Sequence, residues 1–561
     1  MATPLVRSAV NRRTFLTMLG VGATAVAGGG LLAACSRTPG SGGTATQLDA
    51  FSQMLPTYRA MELVPPDIPV PLPAAPGFRS YPSNLVDAIT EKPGRSGQTI
   101  EVTTLNWGTT PPGPGESAYL DTINNDHLGV TVNFSVQDGN TYADYLTTIL
   151  AARDVSDVLV VPSWNINVAR FPDAVATLFE DLTPFLQRDN ALTYPMLASL
   201  PTGAWRYCFW GGQLKAVPFP TDNPFAWALF HRKDLLDPLG VGLPASSEDL
   251  HTIGTELTDP DNNVWAYNDI WDTVQMAFRV TGAAGGWRAN PDGTVNNKIE
   301  TEEFAAALEF MTRLYADGLV HPEIVAGTGD VNQLFASGQT LFMQNGLGVW
   351  KAMQRDEQKV TPGFDMQPVP VFADNGDPLV WGGEGPIFYT FVKKDLGSER
   401  VAEILGVLNW CAAPFGTQEF ELREYGVEGV HFERGADGTP VTNETYAAEY
   451  ANQYTFMSGR NAVQVGSPDL PGWVDAYTAW SASAVQFLEP NPWESIKIEQ
   501  PTALAAINQP TLDKITDIAR GRRPLGDLAQ VIQEWRDGGG DEGKELYAQA
   551  LADAQTPAAG G

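Results

Sequence analysis

Thr99-Ile100-Glu101-Val102-Thr103-Thr104-Leu105 and, further along, Asp157-Val158-Leu159-Val160-Val161 are the two stretches that decide the fold. The first alternates and is rich in β-branched residues, which predicts a strand. The second is an unbroken apolar run, the pattern of a strand covered on both faces. Between them, Ser117 to His127 predicts a helix and Val130 to Val136 a second strand. Tyr142 to Ala152 sets Tyr145, Ile149 and Ala152 on one helical face. The order strand, helix, strand, helix, strand predicts an α/β fold built on a parallel, doubly wound sheet. Ligands of such sheets bind beyond the carboxyl ends of the strands, and Trp107 and Trp164 stand at two of those ends.

A second unit follows. Phe225 to Arg232 reads as a strand and Lys233 to Leu239 as a short helix. Ser246-Ser247-Glu248-Asp249 has the spacing of a capping box before a helix that runs through Leu257. Thr301 to Leu319 is the clearest helix in the chain, with Phe304, Leu308, Met311, Leu314 and Tyr315 in one stripe and Gly318 ending it. Thr340 to Met343 predicts a strand that leads into Gln344-Asn345-Gly346.

Upstream of the body the chain reads as an address and a tether. Asn11-Arg12-Arg13-Thr14-Phe15-Leu16-Thr17 precedes a Gly- and Ala-rich apolar stretch that ends in Leu32-Ala33-Ala34-Cys35. A basic region, an apolar region and a small-residue boundary make an export signal, and the paired arginines give it twin-arginine character. Residues 1–35 therefore read as a lipoprotein signal, with Cys35 as the lipidated first residue of the mature chain; an uncleaved anchor is the alternative. Residues 36–97 are a linker. Ser36 to Thr46 is Ser/Gly/Thr/Pro material, and Leu63 to Pro82 is dense in proline. The apolar Leu63, Val64, Ile68, Val70 and Leu72 favour a strap laid on the body over a free stalk.

Charge and composition remove several functions. The 561-residue chain has 43% hydrophobic residues and a net charge of −31. Residues 1–34 hold three Arg and no acid, so the remainder carries −34. Such a body is repelled by polyanions, and no nucleic-acid partner is expected. Five His and three Cys, widely separated, predict no metal site and no cofactor. Cys208 and Cys411 sit in apolar or aromatic contexts and read as buried free thiols. Asp259-Pro260-Asp261-Asn262-Asn263 and Asp374-Asn375-Gly376-Asp377 are oxygen-rich, but neither fits a calcium loop, and turn chemistry explains both better.

Tryptophan is the distinctive residue. Many of the 15 stand beside turn residues, outside apolar stripes: Trp107-Gly108, Ser163-Trp164, Trp210-Gly211, Ile270-Trp271-Asp272, Gly286-Trp287, Trp381-Gly382-Gly383-Glu384 and Gly472-Trp473. Each has two readings, a pin that holds its loop to the core or a flat face for a ligand. As a set they favour a ligand cleft. Sugar C–H faces suit indole, and sugar hydroxyls need the amides and carboxylates nearby. The candidate ligand-binding residues are Trp107, Trp164, Asp222, Asn223, Asn268, Asp269, Trp271, Trp287, Asn345, Trp381 and Glu384. No catalytic residue is assigned.

Several runs together resemble one family. They are Leu229-Phe230-His231-Arg232-Lys233-Asp234-Leu235-Leu236-Asp237-Pro238-Leu239-Gly240 with Pro244 and Ser246 to Leu250, and Gly212-Gln213-Leu214-Lys215-Ala216-Val217-Pro218. Leu314 to Glu323, Phe335 to Met343, Tyr425-Gly426-Val427-Glu428-Gly429-Val430-His431-Phe432 and the closing helices within 512–551 complete the set. In order along 99–551 they resemble the extracellular solute-binding proteins of family 1, in the LplA- or LipO-like branch of sugar-binding lipoproteins. The resemblance implies a two-lobed periplasmic-binding-protein-like fold, each lobe a sheet flanked by helices, joined by a hinge. It implies lobes of 98–221 plus 379–470 and of 222–378 plus 471–555. Trp107 and Trp164 would then face Trp271, Asn345 and Trp287 across the cleft, with Trp381 and Glu384 on the rim near the hinge. The implied function is capture of an oligosaccharide and its delivery to the permease subunits of an ABC importer. The implied protein is a monomer held to the outer face of the cell membrane by the lipid on Cys35. The rival from another class is a secreted glycoside hydrolase with an aromatic-lined cleft and paired carboxylates.

Overall fold

A computed structural model describes residues 44–47 and 51–555, apart from 62, 167, 169, 221–224, 226, 283–284, 383–384, 460–462 and 495. The export signal and Cys35 lie outside the described residues. The two main sheets use strands β1 (Ile100–Asn106), β2 (Val132–Asp138), β3 (Val158–Pro162), β4 (Ala216–Pro220), β5 (Ala228–Arg232), β6 (Trp265–Tyr267), β7 (Thr340–Asn345), β8 (Met366–Pro368) and β9 (Pro386–Val392).

The larger sheet has the order β2-β1-β3-β9-β4. The alternating run becomes β1, parallel to β2 from Ile100↔Val132 to Asn106↔Asp138 and parallel to β3 at Val102↔Val158. The unbroken apolar run becomes β3, buried at every position. Helix Tyr142–Ala152 makes the crossover between β2 and β3 and buries Tyr142, Leu146 and Leu150. This stripe is displaced from the expected Tyr145/Ile149/Ala152 face, because side chains lean toward the helix N-terminus.

The sheet is not wholly parallel, which corrects the expected doubly wound arrangement. Strand β9 lies between β3 and β4 and runs antiparallel to both, at Phe388↔Pro162 and Tyr389↔Pro218. The chain reaches β9 after building the smaller sheet. It enters at the end where β3 stops, so it has to run the other way.

The smaller sheet has the order β6-β7-β5-β8. Here β6 and β7 are parallel, while β5 is antiparallel to β7 at Asn345↔Ala228 and to β8 at Met366↔Arg232. Strand β5 also enters from a crossing and reverses for the same reason. Both faces of this sheet are covered. Leu229 and Phe342 face a cluster with Phe304, Leu308 and Met311. Their neighbours Phe230 and Met343 face a second cluster with Trp350, Trp473 and Trp480, as the two-residue period of a strand requires. Helix Glu302–Ala316 supplies the first cover. Its N-cap Thr301 accepts from the Phe304 N–H (3.2 Å). Bridges Phe225↔Gly382 and Val380↔Leu488 hold the segments that join the two sheets side by side.

The N-terminal segment lies on this body. Thr44–Gln47 pairs with Ile496–Glu499, and Phe51 stacks on Phe209 at 4.6 Å. Ala74, Phe78 and Tyr81 are buried, whereas Leu72 is left exposed. Two buried acids fasten the end of the segment. Glu419 accepts from the Ala88 and Ile89 N–H groups (3.0 and 2.6 Å). Glu403 accepts from the Arg95 and Ser96 N–H groups, the Ser96 hydroxyl and Arg400.

Burial opposes the charge on Glu403, but these hydrogen bonds outweigh it and hold the carboxyl below its ordinary value of 4.5. A lowered folded pKa adds stability above the unfolded value and loses it as the folded value is crossed on acidification. Glu403→Gln is therefore expected to cost about 1–3 kcal/mol at neutral pH. Urea unfolding should show the gap from wild type closing as the pH falls through and below 4.5.

Candidate ligand-binding site

A cavity of about 830 Å³ lies where the two sheets present the same kind of edge. Ser163 and Trp164 come from the turn after β3, and Pro386 and Ile387 from the start of β9. From the smaller sheet come Gly346, Leu347 and Gly348, directly after β7, with Lys351 and Arg355 of helix Val349–Val360. The remaining wall is aromatic and polar: Tyr425, Tyr446 and Tyr450, then Trp473 and Tyr477 of helix Trp473–Ala484.

Of the predicted residues, Trp164 lines this cavity. It is 52% exposed and stands edge-on to Phe388, with ring centroids 5.6 Å apart. Trp107 is 48% exposed and lies beside it, centroid to centroid 6.1 Å. A Cβ at Gly139 would fall on the Trp107 indole, so that ring rests against the Gly139 backbone, with Phe456 edge-on at 6.3 Å. Two large indoles left half in water are costly unless something covers them. Asn345 ends β7 next to the cavity, but its amide donates to Asn332 (2.8 Å) and its oxygen accepts from Gly346 N–H (2.7 Å).

The other predicted residues do different work. Trp287 is 2% exposed and stacks on Tyr547 at 4.5 Å, inside the core; it is no cleft wall, and this corrects the expectation. Asn268 is buried and extends the β6–β7 ladder, giving its amide to Gln344 C=O (3.1 Å) and accepting from Gln344 N–H (2.9 Å). Asp269 accepts from Trp271 N–H and from the Tyr315 hydroxyl (3.1 and 3.2 Å) at the start of helix Trp271–Ala277. Trp271 is half-buried and edge-on to Phe304 at 5.6 Å, outside the cavity lining. Trp381 donates to Val280 C=O (3.1 Å), meets Trp227 edge-on and presses on Gly282, where a Cβ would fall inside the ring. It pins the crossing segment. Asp222, Asn223 and Glu384 lie outside the described residues.

Lys351, Arg355, Tyr446 and Tyr450 show no sequence pattern that sets them apart from an ordinary helix surface. Trp473 did carry a signal, the loop dipeptide Gly472-Trp473. Tyr446 and Tyr450 are stacked at 4.6 Å, one turn apart on the chain. Two carboxylates, Glu424 and Asp469, are among the described lining residues; Asp469 accepts from the Ser467 hydroxyl, and the oxygens of Glu424 are taken by Arg423 Nε (2.8 Å), the Thr455 hydroxyl (2.9 Å) and the Tyr450 hydroxyl (3.3 Å). A carboxylate so engaged is poorly placed for acid–base work.

Elsewhere, His431 is buried. It accepts from Val427 N–H (3.0 Å) and meets Glu449 at 3.2 Å, a packing role for that motif. Asp374 accepts from the Ser247 N–H and hydroxyl, and Asp259 from Asn262, so both oxygen-rich loops use turn and capping chemistry. Cys208 and Cys411 are buried free thiols, and burial pushes Cys411 up to about 12.

Residues 107–395, just over half of the chain, match the model of the bacterial extracellular solute-binding proteins. The chain belongs to that family. Membership places this solute-binding protein outside the cytoplasm, among binding proteins. It is 23% identical over 346 residues to the polygalacturonan/rhamnogalacturonan-binding protein YtcQ of Bacillus subtilis, covering 58% of this chain and 67% of that one. Among solved structures it is similar to the calcium-free alginate-binding protein AlgQ2, with TM-score 0.59, 14% identity, and coverage of 83% of this chain and all (100%) of the other. It is also similar to an HMO-binding, ABC-transporter-associated solute-binding protein of Bifidobacterium longum infantis, with TM-score 0.58, 15% identity and coverage of 82% and 100%. These are two-lobed folds, and the solute-binding protein shares that architecture.

The contrast between plate and pin is measurable without any ligand. Trp287→Ala should lower the unfolding free energy by about 3–5 kcal/mol, the cost of emptying a core indole site. Trp164→Ala, at a half-exposed ring, should change it by no more than about 1 kcal/mol. Chemical denaturation of the two variants side by side checks both values.

Proposed function

We propose that this solute-binding protein captures an oligosaccharide in the cavity between its two sheets and passes it unaltered to the permease of an ABC importer. The observation that carries the reading is the pair of half-exposed indoles, Trp107 and Trp164, at the edge of an 830 Å³ cavity fed by both sheets. The volume falls in the range of roughly 300–1,000 Å³ usual for small-molecule sites. The indoles offer apolar plates for sugar rings, and Arg355, Tyr446, Tyr450 and Glu424 offer polar groups for hydroxyls. The carbohydrate ligands named for the related proteins support the same reading.

The proposed cycle has no bond chemistry. The lobes are taken as 98–221 plus 379–470 and 222–378 plus 471–555, turning about the crossing segments. Ligand contacts made to both lobes favour the closed form, because only that form collects all of them. Signal 1–35 exports the chain by the twin-arginine route. A lipid on Cys35 and the linker after it then keep a monomeric binder near its permease, raising its local concentration there.

Thermal shift of the purified full chain against mono- to tetrasaccharides tests the proposal. A sugar at 100 times its dissociation constant should stabilise wild type by about 2.7 kcal/mol. Trp164→Ala should lose most of that shift. Chromatography of the same mixtures should recover the sugars intact; shortened products would replace the binder with the hydrolase.

A further inference from the structure

The N-terminal strap crosses between the two hydrophobic cores and returns. Phe51 and Leu55 are buried in the core of the larger sheet, and Arg59 N–H donates to Ala198 C=O (2.8 Å). Further on, Ile68, Val70 and Ala74 pack into the cluster of Trp350, Trp473 and Trp480 on the smaller sheet. Reciprocal hydrogen bonds between Ile68 and Gly77 (2.9 Å each) close this excursion into a loop. Pro65, Pro66, Pro69, Pro71, Pro73 and Pro76 stiffen it, since each fixes its own φ. The strap then turns back. Phe78 lies against Phe415 (4.6 Å), and Tyr81 meets Phe415 and Tyr425 edge-on (5.4 and 5.5 Å). Phe415 follows helix Ser398–Cys411, whose Val407, Leu408 and Trp410 belong to the core of the larger sheet.

Between those two holds, residues 76–79 grip the back of the cavity wall. Gln464 N–H donates to Pro76 C=O (2.8 Å) and Gly466 N–H to Phe78 C=O (2.7 Å). Gly77 lies against helix Trp473–Ala484, where a Cβ would stand 2.8 Å from Thr478 Cγ2 and 3.1 Å from Val474 Cγ2. Arg79 donates through Nε and Nη2 to Asp475 of the same helix (3.0 and 2.6 Å), and its N–H donates to Asp67 (2.8 Å). The same elements face the cavity: Gln464, Val465, Trp473 and Tyr477 line it. So do Phe420 and Tyr425, from the cluster that holds Phe78 and Tyr81. One short, stiff segment is thus fastened to two parts of the wall that belong to different cores. Parting them would break the aromatic contacts on one side, or the ion pair and the Gly77 packing on the other.

We propose that loop 68–81 of the strap is a brace between the two bodies: it positions helix Trp473–Ala484 against the side of Phe415 and Tyr425 and so sets the width of the cavity. Gly77 and Arg79 are its positioning residues. Neither is among the lining residues, and both act through the helix that carries Trp473 and Tyr477. The brace belongs to the frame of the cavity and holds whatever solute the cavity takes, so it stands apart from the oligosaccharide reading. Gly77 is required for space and not for conformation. Its backbone lies outside the left-handed region, so an alanine there meets its neighbours, chiefly the Thr478 methyl, without backbone strain. The Thr478 hydroxyl donates to Val474 C=O (2.7 Å). A serine keeps that bond and removes the methyl.

The test needs no ligand. Nitroxide labels are attached through Thr148→Cys and Glu309→Cys, exposed positions on helices Tyr142–Ala152 and Glu302–Ala316 of the two bodies, in the full chain carrying Cys35→Ser. Cys208 and Cys411 are buried and stay unlabelled. Pulsed double electron–electron resonance reads the distance between the labels. The width of its distribution should grow about twofold or more in Gly77→Ala, as more open forms become populated. Adding Thr478→Ser to Gly77→Ala should restore the parent width. Arg79→Met removes only a half-exposed ion pair, leaves folding intact and should broaden the distribution as well. Thermal melts show which variants are folded at the measuring temperature. The brace is overturned by an unchanged distribution in folded Gly77→Ala, by broadening that Thr478→Ser does not reverse, or by an unchanged distribution in Arg79→Met, which decides alone if Gly77→Ala does not fold.

Discussion

The ladder of β9 is the constraint on which the rest depends. Its residues Phe388–Phe391 pair with β3 on one side and β4 on the other. Those neighbours end at Pro162 and Pro220, while β9 begins at Pro386, after the whole smaller sheet has been built. A strand inserted there pairs the inner edges of β3 and β4, which would otherwise be exposed in the middle of the larger sheet. Its insertion also obliges the chain to leave one body, build another and return. The same strand sets Pro386 and Ile387 in the cavity lining and puts Phe388 under the edge of Trp164. Topology and site thus have one cause.

This also separates what the sequence could reveal from what it could not. The crossover unit from β1 to β3 and helix Glu302–Ala316 are local, and their period and caps are written in adjacent residues. The direction of β9 is not local, because it depends on where the chain comes from. The tryptophans show the same limit. Gly286-Trp287 and Ser163-Trp164 look alike on paper, each an indole beside a turn residue. Trp287 is covered because Tyr547, far away in the final helix, stacks on it. Trp164 has Phe388 at its edge and remains half exposed. Whether a loop indole is a pin or a plate is decided by what arrives on its other face. The aromatic wall at Tyr446 and Tyr450 was hidden for a related reason. Tyr446 sits on a short helix, Glu444–Glu449, capped by Asn443, and Tyr450 directly follows it, with nothing to mark the cavity side.

The N-terminal strap adds a mechanical condition. It pairs with the segment after Trp493 at Thr44–Gln47, stacks Phe51 on Phe209 beside the larger sheet, and sends Ala74 into the cluster on the smaller one. It then returns to the larger sheet's helices through Glu419 and Glu403. At Gly77–Phe78 it pairs with Gln464–Val465, the strand whose Val465 carbonyl receives Lys351. The strap is therefore a part of the cavity wall's support, and its sequence of prolines and small apolar residues suits that task. An extended segment with few backbone donors can lie on both bodies without competing for their ladders.

A second group of contacts limits how such a body can open. Tyr207 donates its hydroxyl to Glu494 C=O (2.9 Å), and Lys497 donates to Phe209 C=O (2.6 Å) and Tyr207 C=O (3.1 Å) over the face of Trp210. The first partners belong to the core of the larger sheet, and Trp493 and Ile496 belong to the core of the smaller. Lys497 gives two bonds to these backbone carbonyls, so separating these segments would cost several hydrogen bonds at once. The contacts through Tyr207 and Lys497 therefore tie the two cores together on that side of the molecule.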